Sequence, residues 1–156
     1  MKQQPSALSV AMRLLARREH AELELRRKLR QREFPDEEID AALADLKQRG
    51  WQSDERFAEI LIGSKARKGQ GPVKIVQALQ NAGVDKSALQ QTDVDWDEQA
   101  LAAIRRYLRG KDVSQHDVRM KAMRHLLQKG FTSSSARVAL AAFLKEPRES
   151  DEFAPE

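Results

Sequence analysis

Lysine and arginine side chains form three clusters along the chain, and their characteristic chemistry is the binding of phosphate and other anions. The first cluster places five cations within residues 26–32. The second lies in a stretch, residues 60–84, that has no acidic side chain, and the third spans residues 105–129. The candidate contacts to a polyanionic partner are Arg26, Arg27, Arg30, Lys65, Arg67, Lys68, Lys74, Arg105, Arg106, Arg124 and Lys129.

The first cluster allows two interpretations. Glu22 and Glu24 lie four residues before Arg26 and Lys28, the spacing at which opposite charges pair on one helix face. The helix would then be a solvated, self-neutralised surface, because exposed pairs of this kind are common and individually weak. In the other interpretation the same cations bind a polyanion, and spacing alone leaves both open.

The middle cluster has glycines that offer a second way to hold an anion. Backbone amides freed at Gly69 and Gly71, beside a helix start at Pro72, could point at a negative group. The mixture of glycine and lysine is similar to a phosphate loop, but the GxxxxGK[ST] order and the preceding strand are missing. Nucleotide binding is therefore not predicted.

Side chains typical of catalytic and metal centres are sparse and isolated. The chain has no cysteine, which excludes disulfides, thiolate metal sites and cysteine nucleophiles. The histidines, His20, His116 and His125, lack the partners of a metal site or an HExxH motif. The serines at 133–135 suit a turn and a helix N-cap better than a nucleophile elbow. We predict no enzymatic activity, and no catalytic, cofactor-binding or metal-binding residues.

The net charge becomes informative when it is divided along the chain. The 156 residues carry +4, from 28 basic and 24 acidic side chains. Residues 1–145 hold 27 basic and 19 acidic groups, a net +8, and residues 146–156 hold −4. No apolar run approaches the roughly 18 residues of a membrane span, and residues 1–20 lack a signal-peptide core. We expect a cytoplasmic protein with no membrane contact, ending in a disordered acidic tail at 146–156.

Helices must position the cations, because nearly every apolar pattern has the spacing i, i+3, i+4, i+7. No stretch shows the sustained alternation of a strand. The main predicted stripes are Leu8/Ala11/Met12/Leu15, Ile39/Ala42/Leu43/Leu46, Phe57/Ile60/Leu61/Ser64, Ala100/Leu101/Ile104/Leu108 and Val138/Ala141/Ala142/Leu144. Helix stops follow four such runs, at Gly50, Gly83, Gly110 and Gly130. Helix starts are predicted from the caps Ser6, Ser53 and Asp95 and from prolines suited to a first turn, Pro35 and Pro72. The sequence therefore predicts an all-α protein.

An internal repeat organises these helices. Phe34, Val84 and Phe131 each follow the end of a helix and precede a capped helix start, and they lie 50 and 47 residues apart. This period is typical of a three-helix unit repeated in tandem. We predict three helix-turn-helix-like repeats, at 5–50, 53–92 and 95–145, in an elongated, curved array. The third helix of the middle repeat, near Lys86–Gln91, is short and weakly apolar.

Three motifs resemble one known family. Residues 14–29, LLARREHAELELRRKL, resemble the first-module signature of RecX proteins, which are bacterial regulators of the RecA recombinase. Residues 50–58, GWQSDERFA, resemble the turn into the second module, although Trp51-Gln52 stands where a tyrosine or other aromatic followed by a small or acidic residue is usual. Residues 67–75, RKGQGPVKI, resemble the middle-module hallmark. The resemblance is strong over residues 12–84 and looser over 95–145.

The resemblance implies a function that composition does not. RecX-like proteins are non-enzymatic and bind the RecA–DNA filament, and they limit recombinase ATPase, strand exchange and coprotease activity in DNA repair, homologous recombination and the SOS response. It implies contact with single- and double-stranded DNA without sequence preference, by a monomer that needs no cofactor. Cations in every repeat would suit a long, repetitive, negatively charged partner.

Two other classes of function stay open from the residues alone. An autonomous DNA-binding protein of helix-turn-helix type would bind duplex tightly and with sequence preference. A protein-only scaffold would use its helices as a groove and would tolerate charge reversal of the middle cluster. Weak binding with a steep salt dependence would instead favour the filament regulator.

Overall fold

The computed structural model describes residues 4–147, and within them the chain folds into helices joined by short turns, with no β-strand. The helices are α1 Ala7–Arg17, α2 Glu22–Gln31, α3 Asp36–Gln48, α4 Asp54–Arg67, α5 Pro72–Asn81, a 3₁₀-helix Lys86–Gln91, α6 Trp96–Leu108, α7 His116–Gln128 and α8 Ser133–Lys145. The all-α prediction is confirmed. The short third helix expected in the middle repeat is the 3₁₀-helix, and none of its residues is buried.

The described residues divide into two compact units. The first holds residues 4–63 and 76–92, and the second holds residues 64–75 and 93–147. The boundaries between them fall inside α4 and inside α5. The predicted repeats, at 5–50, 53–92 and 95–145, describe the order of helices along the sequence. The two compact units do not test these bounds, which stay a prediction.

The core of the first unit is formed by α1, α2 and α3. The predicted stripe on α3 is confirmed, since Ile39, Ala42, Leu43 and Leu46 are all buried. On α1 the buried side chains are Ala7, Val10 and Ala11, whereas Met12 is 36% exposed. The α1 stripe was therefore predicted about one position too far along the helix.

The core of the second unit is formed by α6, α7, α8 and the turns between them. Its buried residues are Ala100, Ala103, Ile104, Leu108, Val113, Ala122, Leu126, Phe131, Ala136 and Ala139. Phe131, the repeat anchor predicted in this part of the sequence, is 2% exposed. Burial of about ten apolar side chains is what lets helices of this length persist, because isolated helices of about 13 residues are marginal in water.

Two predicted stripes are wrong for one physical reason. On α4 the buried positions are Ala58, Ile62 and Ala66, and Ile60 is 56% exposed. On α8 the buried positions are Ala136 and Ala139, while Val138 and Leu144 are exposed. Most of the fully buried positions on both helices are alanines, which contribute little to a pattern built on large apolar side chains.

Helix ends follow the predicted capping chemistry. The side-chain oxygens of Ser6 and Ser53 accept backbone N–H groups three residues ahead, at 3.1 and 3.2 Å. Asp95 accepts two, from Asp97 and Glu98. The four glycines predicted to stop helices all have positive φ. Pro72 begins α5 as predicted, but Pro35 stands one residue before α3, at its N-cap.

No helix within residues 4–147 combines the length and the apolar composition needed to cross a bilayer.

Candidate nucleic-acid interface

The first basic cluster lies on α2 and at its C-terminal end, and two of its arginines are already paired with carboxylates of the first unit. Arg26 forms an ion pair with Asp40 on α3, and Arg30 Nε lies 3.1 Å from the carboxylate of Asp36. Arg27 donates to the backbone oxygen of Asn81 at 3.2 Å and keeps its charge. The charges of Arg26 and Arg30 are therefore partly neutralised before any partner binds.

The ion pairs predicted within α2 are wrong. Glu24 pairs with Arg18 at 2.7 Å, and Glu22 pairs with Lys47 at 3.3 Å. Sequence spacing considered only one helix, whereas α3 begins with acidic side chains that lie beside α2. The self-neutralised interpretation of the cluster thus has support, but through carboxylates of a neighbouring helix.

The middle cluster behaves differently. Lys65 and Arg67 lie in the last turn of α4, Lys68 follows it, and Lys74 lies in the first turn of α5. Among the described residues none of these four side chains forms an ion pair. Arg67, Lys68 and Lys74 are exposed. Their positive charge is available to an external anion.

The backbone amides proposed for anion binding are not free. Gly69 N donates to the carbonyl of Ala66 at 3.0 Å, and Gly71 N donates to the carbonyl of Lys129 at 2.7 Å. Val73 N donates to Gly130 O at 2.8 Å. The prediction of an anion-holding loop is wrong, because these donors are used inside the second unit and only the side chains remain.

This pair of hydrogen bonds is a positioning device that sequence reasoning missed. It joins residues 71–73 to the turn between α7 and α8. A Cβ at position 71 would lie 2.5 Å from the backbone of Gly130 and Phe131, so only glycine permits this approach. The sequence signal was present in Gly71 and Gly130, but Gly71 was interpreted as part of an anion-binding loop and Gly130 as a helix stop.

The third cluster divides into engaged and unengaged cations. Arg105 forms an ion pair with Glu146, with Nε 2.9 Å from the carboxylate. Arg106, Arg124 and Lys129 form no ion pair with any described residue. Glu146 belongs to the predicted acidic tail, and residues 148–156 of that tail lie outside the described residues.

One cleft brings together cations from the second and third clusters. It has a volume of about 310 Å³ and lies in the second unit. Its lining residues are Lys68, Gly69, Ala103, Arg106, Tyr107, His125 and Lys129. Three of the predicted contacts, Lys68, Arg106 and Lys129, therefore surround one cleft, and Arg124 and the α2 arginines are not part of it.

Two ring side chains, Tyr107 and His125, also line this cleft, and neither was predicted from sequence as a contact residue. The rings of Tyr107 and His125 stack with centroids 4.4 Å apart, and Lys111 Nζ lies 3.6 Å from the Tyr107 centroid. Burial, with the charges of Lys129 and Lys111, lowers the pKa of His125. From sequence, His125 was predicted only to lack the partners of a metal site, because neither of its ring contacts is visible there.

His20 is buried, and both of its ring nitrogens contact other residues of the first unit. It is 2% exposed, with Nδ1 3.0 Å from the Arg18 carbonyl and Nε2 3.2 Å from Lys28 Nζ. Because an ammonium can only donate, Nε2 accepts and Nδ1 carries the proton that is donated to the carbonyl. Burial lowers the pKa of His20, and the charges of Arg18 and Lys28 act in the same direction.

We expect His20 to make stability depend on pH. The unfolded chain takes up a proton near pH 6.5, whereas folded His20 does so only at lower pH. The free energy of unfolding is then fully retained above this range and falls as pH drops from about 7 towards 5, by at most about 1.4 kcal/mol per pH unit for this residue. Urea unfolding at pH 7.5 and 5.5 measures the loss. His20→Gln should reduce it, and His116→Gln, at an exposed position, should not; equal losses in all three proteins would contradict the assignment.

Family models match nearly the whole described chain. The models for the first, second and third three-helix domains of RecX match residues 7–54, 53–92 and 93–140. The tandem arrangement of three three-helix domains is thereby confirmed.

Individual relatives and solved structures agree with the family models. Regulatory protein RecX of Pseudomonas fluorescens is 40% identical over 126 residues, covering 78% of this chain and 81% of that protein. Regulatory protein RecX of Stenotrophomonas maltophilia is 38% identical over 133 residues, covering 83% and 82%. The crystal structure of RecX from Lactobacillus salivarius superposes with a TM-score of 0.76 at 18% identity, covering 87% of this chain and 93% of that one, and it speaks for the fold.

Proposed function

The chain belongs to the RecX family of regulatory proteins, and from this membership we propose that it binds the RecA–DNA filament and inhibits the recombinase. It would limit the ATPase, strand-exchange and coprotease activities of that filament, in DNA repair and the SOS response. It acts by binding, as a cytoplasmic monomer, and not by catalysis. Family membership is the single observation that carries this proposal.

The distribution of unengaged cations supports a nucleic-acid component of this binding. Lys65, Arg67, Lys68 and Lys74 have no carboxylate partner among residues 4–147, so contact with phosphate costs no internal ion pair. Each phosphate contact releases condensed counterions, which supplies affinity without reading sequence. Such contacts also position a protein on the backbone and leave the bases unread.

The proposal assigns different roles to the predicted contacts. The middle cluster and Arg106, Arg124 and Lys129 are proposed as phosphate contacts, because they are unengaged. Arg26, Arg27 and Arg30 are proposed to contact acidic recombinase surface, where Arg26 and Arg30 can exchange an existing ion pair for another and Arg27 can exchange its hydrogen bond to the Asn81 carbonyl. Arg105 would have to release Glu146 before binding either partner.

We expect loss of inhibition when the middle cluster is reversed. The variant Lys65→Glu, Arg67→Glu, Lys68→Glu replaces three attractive charges by three repulsive ones, so about tenfold more protein should be needed to suppress a RecA-type DNA-dependent ATPase. The wild-type protein should suppress it at less than one molecule per recombinase subunit. The measurement is ATP hydrolysis by the recombinase on single-stranded DNA over a series of protein ratios.

The matched control reverses three exposed charges outside the predicted contacts, through Arg13→Glu, Arg17→Glu and Lys121→Glu. It should inhibit like the wild type. Absence of inhibition by the wild-type protein at every ratio would overturn the proposed function. Tight duplex binding with sequence preference would instead support an autonomous helix-turn-helix protein.

A further inference from the structure

The cleft between the end of α4, α6 and the end of α7 has the composition of an anion site. Lys68, Arg106 and Lys129 line it, and its lining includes no carboxylate. None of the three forms an ion pair with a described residue, although Arg105, next to Arg106, does. Three unpaired like charges around one cleft repel one another, and a bound anion removes that repulsion.

The cleft is held in shape by backbone contacts and not by the flexible cations themselves. The hydrogen bonds from Gly71 N to Lys129 O and from Val73 N to Gly130 O fix the end of α7 against the residues that follow Lys68. On the other side, Arg106 lies close to Gly69, where a Cβ would be 3.2 Å from Nη2. Side chains presented by fixed backbone lose less freedom when an anion binds.

The stacked rings of Tyr107 and His125 limit which part of a nucleotide the cleft can bind. The His125 ring stacks on Tyr107 with centroids 4.4 Å apart, and Lys111 Nζ lies over the Tyr107 ring, 3.6 Å from its centroid. Tyr107 is therefore already stacked and would have to lose one of these contacts before a base could stack on it, as bases do in single-strand binding sites. Recognition is left to the cations and to the polar edges of the rings.

We propose that this cleft, formed by Lys68, Arg106 and Lys129 beside the Tyr107–His125 ring pair, binds one backbone phosphate of a nucleic-acid strand. The assignment rests on the proposed function and gives its nucleic-acid contact a defined location in the second unit. A cleft of about 310 Å³ suits a hydrated phosphate group, and rings that are already stacked explain contact without sequence preference. Free phosphate shares this chemistry, so the experiment must separate the two sources.

Binding at this cleft should be linked to protonation of His125. The charged and titratable groups around the ring are Lys68 after α4, Arg106 and Tyr107 from α6, Lys111 after α6, and Lys129 after α7. Burial and the charges of Lys129 and Lys111 lower the pKa of His125, and a bound phosphate would raise it again. By reciprocity the anion binds more tightly at lower pH, where His125 carries a proton.

The test follows the His125 ring signals of the full chain by NMR over a pH series, with no ligand, with inorganic phosphate and with a single-stranded oligonucleotide. We expect the oligonucleotide to raise the pKa of His125 at far lower concentration than phosphate does. Ring signals that respond to phosphate but not to bound oligonucleotide would overturn the assignment, because the cleft would then take only a free anion.

Variants give a second, independent readout. Arg106→Gln with Lys129→Gln should weaken oligonucleotide binding about tenfold, and Lys121→Gln, an exposed lysine of α7 that does not line the cleft, should change it less than twofold. If the double variant and Lys121→Gln weaken oligonucleotide binding equally, the assignment of the phosphate site to this cleft is wrong. If these changes occur as expected but the wild type does not inhibit the recombinase ATPase, the proposed function fails and the cleft stands. If the wild type inhibits the recombinase but the double variant binds DNA as tightly as the wild type, the proposed function stands and the cleft assignment fails.

Discussion

Gly71→Ala is expected to lower the free energy of unfolding by about 3 kcal/mol, because the added methyl group meets backbone on the opposite side of a tight crossing. The new Cβ would lie 2.5 Å from Gly130 C and from Phe131 N, and backbone atoms cannot move aside as a side chain can. Separating the two segments breaks the hydrogen bonds from Gly71 N to Lys129 O and from Val73 N to Gly130 O. Chemical denaturation measures the loss.

Gly110→Ala is the matched control in the same unit. Gly110 has a φ of +74°, but a Cβ there would meet nothing within 4 Å. Its substitution should cost only the backbone strain of a left-handed alanine, about 1 kcal/mol. If the two alanine variants lose equal stability, the close approach at Gly71 is not the source of the effect, and the crossing does not hold the second unit together as described.

Much of the fold could be predicted because it depends on local chemistry. The caps at Ser6, Ser53 and Asp95 were visible in the sequence, since a cap needs only a short polar side chain and the amides that follow it. The α3 stripe was also correct, because Ile39, Leu43 and Leu46 are large, apolar and on one face of the helix. Local rules were sufficient wherever a single helix decided the outcome.

The buried faces of α4 and α8 required knowledge of the neighbouring helices. Both bury alanines, at Ala58 and Ala66 on α4 and at Ala136 and Ala139 on α8, and each leaves a larger side chain exposed, at Ile60 and at Val138. An alanine buries little apolar area, so its position marks the core face of a helix less clearly than a leucine or isoleucine does. Which face is buried follows from how closely the adjoining backbone approaches, and a one-dimensional pattern does not contain that.

The candidate site shows the same division between local and tertiary information. Composition located the three basic clusters, but it could not say which cations are already paired. Arg26 pairs with Asp40, fourteen positions away, and Arg105 pairs with Glu146, forty-one positions away. The cleft itself depends on Gly71 bonding to Lys129 across fifty-eight positions. Charge is a property of sequence, whereas availability of charge is a property of the fold.

Availability of charge leads to the prediction with the largest effect on binding. Replacing Lys65, Lys68 and Lys74 by glutamine removes three unpaired cations, and each is expected to neutralise one phosphate. With a slope of roughly −0.7 per phosphate for single strands, the salt dependence of log K should become shallower by about 2. At about 0.1 M salt this corresponds to a loss of affinity of roughly 100-fold. Fluorescence anisotropy of a labelled oligonucleotide at several salt concentrations measures both quantities.

The control variant removes the same number of positive charges, but from arginines that are already paired with carboxylates. Arg26→Gln, Arg30→Gln and Arg105→Gln remove cations that are already paired with the carboxylates of Asp40, Asp36 and Glu146. Their removal should leave the salt slope within about 0.5 of the wild-type value, since few phosphate contacts are lost. A paired set that weakens binding as much as the unpaired set would mean that the internal ion pairs open when DNA binds. Pairing in the free protein would then be no guide to its interface, and the strongest argument for placing phosphate contacts in the second unit would be lost.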